Sequence, residues 1–294
     1  MLIYIGALAL AWGIWRAVRP APSVEGRYVV IVGASSGIGR SLALEYARQG
    51  ATLLLCARRS DLLSQVSAEC TRLSGHPTAA VTGDITERAT QLSLRDAAAE
   101  FPHVDYLVLN AGAITVRPLT ELWMTPDARS SADTVDEVLG RALAINTCAP
   151  ILVAGLFLPL LAQSRGNVVV VASVASLVAA PTRSLYSAAK HAVEGYFSAF
   201  RMEVKHLGVD VTMVYPGTVD TDLRLAAIDA PVGELVAGSK RGKMSPDSCA
   251  RAILRAAALR DRQLVTPWPY WVAVVVHRLA PRVVEYLAMR KYRL

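Results

Sequence analysis

The chain has 294 residues, 53% of them hydrophobic and 19% charged, which is enough for one large core or two small ones and too apolar for a disordered chain. Most of the formal net charge of +7 sits at the ends: Arg16 and Arg19 follow an N-terminal apolar run, and Arg278, Arg282, Arg290, Lys291 and Arg293, against Glu285, crowd the C-terminal tail. A nucleic-acid groove would put that charge in the body beside stacking aromatics, so the pattern speaks against nucleic acid and for a membrane surface.

Met1 to Trp15 carries no charge. As a helix it is about 22 Å long. Extended to Arg19, with the arginine snorkelling, it just spans the ~30 Å hydrocarbon core. The flanks differ from those of a signal peptide: no basic residue precedes the run, and Arg19-Pro20 is a poor cleavage site. We therefore expect an uncleaved anchor over residues 1–19. Arg16, Arg19 and Arg27 place the body in the cytosol by the positive-inside rule. Pro20, Pro22 and Ser23 make a short stiff linker over residues 20–26.

The run from Arg27 to Val32 predicts a buried strand leading into Gly33-Ala-Ser-Ser-Gly37-Ile-Gly39. Beyond it, Leu42, Leu44, Tyr46 and Ala47 give a helical stripe that stops at Gly50. Strand, glycine turn and helix together predict a phosphate cradle: glycine lets the backbone approach, and the helix start supplies free N–H groups and a positive dipole end. A tight turn with no ligand is the plainer alternative. The next strand, Thr52 to Ala57, ends at Arg58 and Arg59, with no acid until Asp61. An arginine there suits a 2′-phosphate, so the position favours NADP(H) over NAD(H).

Thr78 to Thr82 reads as a third strand whose loop carries Asp84, placed to bond an adenine amine. Val104 to Leu109 reads as a fourth, ending in Asn110-Ala111-Gly112, where backbone can pass close to a cofactor. A long apolar helix is predicted from Val135 to Leu161, bent or broken at Pro150. Asn146 inside it is a poor helix residue and needs a partner or a purpose. Asn167 to Ala172 is a fifth strand that delivers Ser173 at its carboxyl end. The next helix carries Tyr186 and Lys190, one turn apart on one face. Alone, that pair is a solvated helix face; beside Ser173 it is a proton donor and acceptor whose phenol a nearby cation would hold down. Val209 to Val214 is a sixth strand, ending in Pro216-Gly217-Thr218-Val219-Asp220-Thr221.

Six strands alternating with helices predict an α/β, Rossmann-like doubly wound parallel sheet over residues 27–265. From Asp222 to Lys243, Leu223, Leu225, Ile228, Val232 and Leu235 suggest an apolar lid next to the site. Ser245-Pro246-Asp247 opens a further helix. The tail over residues 266–294 clusters Trp268, Tyr270 and Trp271 beside aliphatics and arginines, as an interfacial segment does; docking on the body or on a second copy is the alternative. The four cysteines, Cys56, Cys70, Cys148 and Cys249, show no metal-ligand spacing, and mean hydropathy is +0.35.

In order and spacing, Gly33-x3-Gly37-x-Gly39, Asp84, Asn110-Ala111-Gly112, Asn146, Ser173, Tyr186-x3-Lys190 and Pro216-Gly217 resemble the short-chain dehydrogenase/reductase family over about Arg27 to Arg262. The apolar N-terminus, the Ala57-Arg58 pair and the Leu279-Ala280-Pro281 tail are similar to the membrane-anchored subgroup of 11β-hydroxysteroid dehydrogenase type 1-like and member 7-like dehydrogenases. The resemblance implies Tyr186 as general acid/base, Lys190 lowering its pKa and bonding the nicotinamide ribose, Ser173 orienting the substrate oxygen and Asn146 holding a water. It further implies Ser35, Ser36 and Arg58 near the adenosine phosphate, Ile38 near the pyrophosphate turn, and Thr218, Val219 and Thr221 on the carboxamide. Ser36 stands where many NADP-preferring members carry a basic residue. The implied activity is NADP(H)-dependent interconversion of a carbonyl and a secondary alcohol on a steroid, retinoid, sphingoid or other lipid. It would run in a homodimer on the endoplasmic reticulum, another intracellular membrane or a lipid droplet. A nucleotide-binding scaffold at such a membrane, without turnover, is the reading from another class; an intact Ser/Tyr/Lys/Asn set speaks against it.

Overall fold

The computed structural model describes residues 19–124, 128–224, 227–229 and 243–292. The apolar run read as an anchor lies outside the described residues, as do Leu225, Val232 and Leu235 of the expected lid. Seven parallel strands form one sheet: β1 (Tyr28–Val32), β2 (Thr52–Ala57), β3 (Ala79–Thr82), β4 (Tyr106–Leu109), β5 (Asn167–Val171), β6 (Asp210–Pro216) and β7 (Gln263–Thr266). Their order is β3-β2-β1-β4-β5-β6-β7. All six expected strands are present. The seventh, QLVT, is short, half-exposed and preceded by the charged Arg260-Asp261-Arg262, so it offers little apolar pattern; β6 recruits it by pairing from Met213↔Gln263 to Pro216↔Thr266. The segment read as a tail from residue 266 thus begins inside the sheet.

The helices are α1 (Gly37–Arg48), α2 (Ser60–Ser74), α3 (Arg88–Ala98), α4 (Leu119–Trp123), α5 (Ala128–Leu143), α6 (Ala149–Ser164), α7 (Ser184–Glu203), α8 (Pro246–Ala258), α9 (Trp268–Leu279) and α10 (Pro281–Tyr292). Strand residues alternate between two cores. Val29 and Ile31 meet Leu42 and Tyr46 of α1, Leu63 of α2 and Ile253 of α8; Val30 and Val32 face the side of Leu94 of α3, Phe157 and Leu161 of α6 and Phe197 of α7. Each such buried side chain contributes about 1.5–3 kcal/mol relative to exposure. Strands covered on both faces must be apolar throughout, which is why β1, β2 and β5 read as unbroken runs.

The expected break at Pro150 is milder than predicted. Helices α5 and α6 are continuous through a π turn at Ala144–Cys148, where the Ala149 N–H reaches back to Ala144. Pro150 has no N–H to give to the carbonyl of Asn146, and the turn just before it widens instead of ending. At the C-terminus the apolar face from Val275 to Leu287 is split between two helices. Ala280 leaves the helical region (φ −143, ψ 68) because the residue before a proline is pushed away from it, and Pro281 opens α10.

Candidate active site

The strand order reverses between β1 and β4, and ligands collect at the carboxyl ends flanking such a point. A cleft of about 590 Å³ lies there, lined from the loops after β1 through β6. Of the residues singled out in the sequence, all but Gly39 and Thr218 line it. Gly39 is buried under the turn, where a Cβ would overlap the Gly33 carbonyl oxygen, so it lets α1 pack rather than contact a ligand. Thr218 is drawn aside: its hydroxyl and its N–H both meet the Tyr270 hydroxyl of α9, at 3.0 and 3.3 Å.

One end of the cleft is built for a dinucleotide's phosphates. Gly33 and Gly37 hold φ of +84 and +54, which side chains resist. A Cβ on Gly33 would stand 2.8 Å from the Ala111 backbone, and the Asn110 amide fixes the turn by donating to the Gly33 carbonyl at 2.9 Å. Ser36 caps α1 without a side-chain bond, so the first-turn N–H groups and the positive dipole end are left for an anion. These features fit a nicotinamide dinucleotide: the glycine turn and helix start would hold the pyrophosphate, and Asp84 and Arg58 lie where the adenosine would be.

The two arginines after β2 both line the cleft but bond different partners. Arg58, the expected phosphate reader, is 70% exposed and pairs with Asp84 at 3.6 Å. Burial pushes the Asp84 carboxyl up, but bonds from Thr86 and the Arg58 charge outweigh it and hold the group below its usual range. Arg59 instead reaches the glycine turn, donating to Ser35 at 3.2 Å and Ser36 at 2.5 Å. The basic charge missing at position 36 is therefore supplied from position 59. Two adjacent arginines look alike in sequence, and Arg59's place just before Ser60–Ser74, as that helix's cap, was the signal available.

At the other end, Ser173 leaves β5 as the cap of a short 3-10 turn, its hydroxyl accepting from the Ala175 N–H at 3.1 Å. Tyr186 and Lys190 are buried on α7. Burial raises the Tyr186 phenol above its ordinary value, and a hydrogen bond from Ser173 and the charge of Arg183 pull the other way. Arg183 is thus a second cation near the phenol, besides the Lys190 expected from the sequence. The Lys190 ammonium lies 5.9 Å from the Tyr186 ring centre, donates to the Val171 carbonyl at 3.2 Å, and is pushed by burial down to about 8. Asn146 spends its side chain on structure: it accepts from the Ala113 N–H at 3.2 Å and donates to the Ala113 and Ala142 carbonyls at 2.9 Å each. Any water it holds falls to its backbone carbonyl, which Pro150 cannot occupy.

Two further residues escaped the sequence reading. Arg183 is buried one turn before Tyr186 and donates to the Thr115 carbonyl at 2.7 Å, while the Thr115 hydroxyl accepts from the Tyr186 N–H at 3.2 Å. Asp229, also buried, accepts from the N–H groups of Val116 and Arg117 at 2.8 Å and so pins residues 227–229 to the loop after β4. Ile114, Val116, Ala175 and Ala227 pack around Tyr186 as an apolar wall.

A doubly wound sheet with a glycine cradle at one end of its cleft and Ser, Tyr and Lys at the other defines a dinucleotide-type oxidoreductase. The chain belongs to the short chain dehydrogenase family, whose model matches residues 27–230. It is 33% identical over 278 residues to dehydrogenase/reductase SDR family member 7B of Bos taurus, covering 88% of this chain and 79% of that one. It is 32% identical over 254 residues to hydroxysteroid 11-beta-dehydrogenase 1-like protein A of Xenopus laevis, covering 85% and 80%. Among solved structures, the alcohol dehydrogenase of Thermococcus sibiricus complexed with 5-hydroxy-NADP superposes with a TM-score of 0.68 at 25% identity, over 82% of this chain and 96% of that one.

Proposed function

We propose that the protein is an NADP(H)-dependent oxidoreductase that interconverts a carbonyl and a secondary alcohol on a lipophilic molecule at a membrane. The observation that carries this reading is one continuous cleft with Arg59 bonded to Ser35 and Ser36 at one end and Tyr186, Ser173 and Lys190 at the other. The dinucleotide, when bound, supplies or accepts the hydride. Tyr186 gives a proton to the substrate oxygen in reduction and takes it in oxidation. Ser173 bonds the same oxygen, and Lys190 holds the ribose hydroxyls and replaces the phenol's proton, with a water on the Asn146 carbonyl as the link to solvent. The Thermococcus sibiricus enzyme's 5-hydroxy-NADP supports the cofactor class, and Arg59 supports the 2′-phosphate.

The apolar wall of Ile114, Val116, Ala175 and Ala227 supports a lipophilic substrate. So do the two curated relatives named as dehydrogenases, one of them of hydroxysteroids. Membrane attachment is supported by the uncharged run from Met1 to Trp15 and by Trp268 and Leu279, which are 75% and 82% exposed. We place the catalytic body on the cytosolic face of the endoplasmic reticulum, another intracellular membrane or a lipid droplet. A homodimer packing through α6 would cover Leu152, exposed there among other apolar residues. The test is turnover of steroid, retinoid, sphingoid and other lipid ketones by the purified full chain with NADPH. Tyr186→Phe is expected to abolish it while NADPH still binds; turnover surviving that change overturns the mechanism.

A further inference from the structure

A second cleft of about 490 Å³ lies between α7, the ends of β6 and β7, and α9, and shares no lining residue with the catalytic one. Its size falls within the range of small-ligand sites. Arg201, Arg262 and Arg278 line it from three different elements, against a single carboxylate, Glu194. That carboxylate is already engaged by neutral donors, accepting from Ser198 at 2.8 Å and from the Tyr215 hydroxyl in a short bond. Arg201 is held in place by donating to the carbonyls of Val211 and Arg262, each at 3.0 Å. Arg262 and Arg278 have no carboxylate partner among the described residues. Three arginines lining one cleft, Arg262 and Arg278 with exposed side chains, outnumber its single carboxylate and leave it net positive, and guanidinium geometry suits phosphate oxygens.

The rim says where that anion comes from. Trp271 lines the cleft and is half-exposed, and from the same helix Trp268, Val272 and Leu279 stand in solvent. A basic cleft opening beside an exposed aromatic and aliphatic face fits a molecule with a phosphate at one end and hydrocarbon at the other. We propose that Arg201, Arg262 and Arg278 form a site for the phosphate of an anionic phospholipid headgroup, with its chains lying along the outer face of α9. The lipid source rests on the membrane reading above; the anion site does not depend on the catalytic one. Burial and the charge of Arg262 push the Arg201 guanidinium below its usual value, and Tyr215, Glu194 and Asp210 oppose that shift without cancelling it.

The test is native mass spectrometry of the full chain in uncharged detergent, titrated with phosphatidic acid, phosphatidylcholine or inorganic phosphate. Phosphatidic acid is expected to bind at least about tenfold more tightly than phosphatidylcholine, the loss of one charge-assisted contact being worth that much. The double variant Arg262→Gln, Arg278→Gln is expected to lose the preference while keeping NADPH binding, which reports its fold. An equal affinity for the two lipids, or a preference unchanged in the double variant, overturns the site; if both lipids still bind, the membrane reading stands without it. Inorganic phosphate binding as tightly as phosphatidic acid overturns the lipid source.

Discussion

Arg59 and Ser36 are joined by a hydrogen bond of 2.5 Å that carries a cation from the end of β2 to the start of α1. A 2′-phosphate meeting that pair gains charge-assisted bonds, whereas a 2′-hydroxyl gains little. Arg59→Ala is expected to raise KM for NADPH by about ten- to a hundredfold and leave KM for NADH nearly unchanged. Arg58→Ala, which removes an exposed partner of Asp84, is expected to cost less. Steady-state kinetics with both cofactors check the order.

Lys190 titrates near 8 in the folded protein because it is buried, against 10.5 in its unfolded environment. Below pH 8 the folded chain must hold a desolvated ammonium, so its stability is lowered there. Between about 8 and 10.5 the unfolded state binds the extra proton, and stability rises with pH. In the cofactor-free protein, Lys190→Met is therefore expected to stabilise at pH 7, by up to about 3 kcal/mol, with the advantage shrinking as pH approaches 10.5. Denaturant titrations of both proteins at pH 7 and pH 10 measure the difference.

Arg183 acts on Tyr186 through its charge and on Thr115 through a hydrogen bond. Arg183→Leu is expected to move the phenol's pKa upward, shifting the rising limb of the alcohol-oxidation pH profile to higher pH. Arg183→Lys is expected to retain most of the wild-type limb. A purely structural role would change kcat or KM at every pH and leave the limb where it is.

The sheet and the positions of the site were legible because both follow from local pattern. Buried parallel strands must be apolar, the glycine turn, Asn110 and Ser173 each follow a strand's carboxyl end, and Tyr186 and Lys190 are one helical turn apart. What stayed hidden depends on contacts between distant segments. Arg183 reads as a loop residue beside Pro181 until Thr115 closes over it, and Asp229 reads as a lid acid until Val116 and Arg117 claim it. The sign of the Tyr186 shift was also hidden, since burial is a property of the assembled fold and spacing reports only which cation is near in sequence. β7 was missed because its four half-exposed residues carry little apolar pattern and only pairing with β6 makes them a strand.

Tyr270 stands where a side chain on Gly217 would be, and its hydroxyl holds Thr218, so the first turn of α9 forms the outer wall of the loop after β6, which lines the cleft. A common way to make a protein with apolar ends tractable is to cut those ends away. Here a cut after β7 would remove a buttress of the candidate cleft together with the exposed apolar face of α9, at the expense of the loop after β6. A variant with a more polar surface keeps the tail and alters only its outward residues, replacing Trp268, Val272 and Leu279 with polar side chains while Tyr270 stays in place.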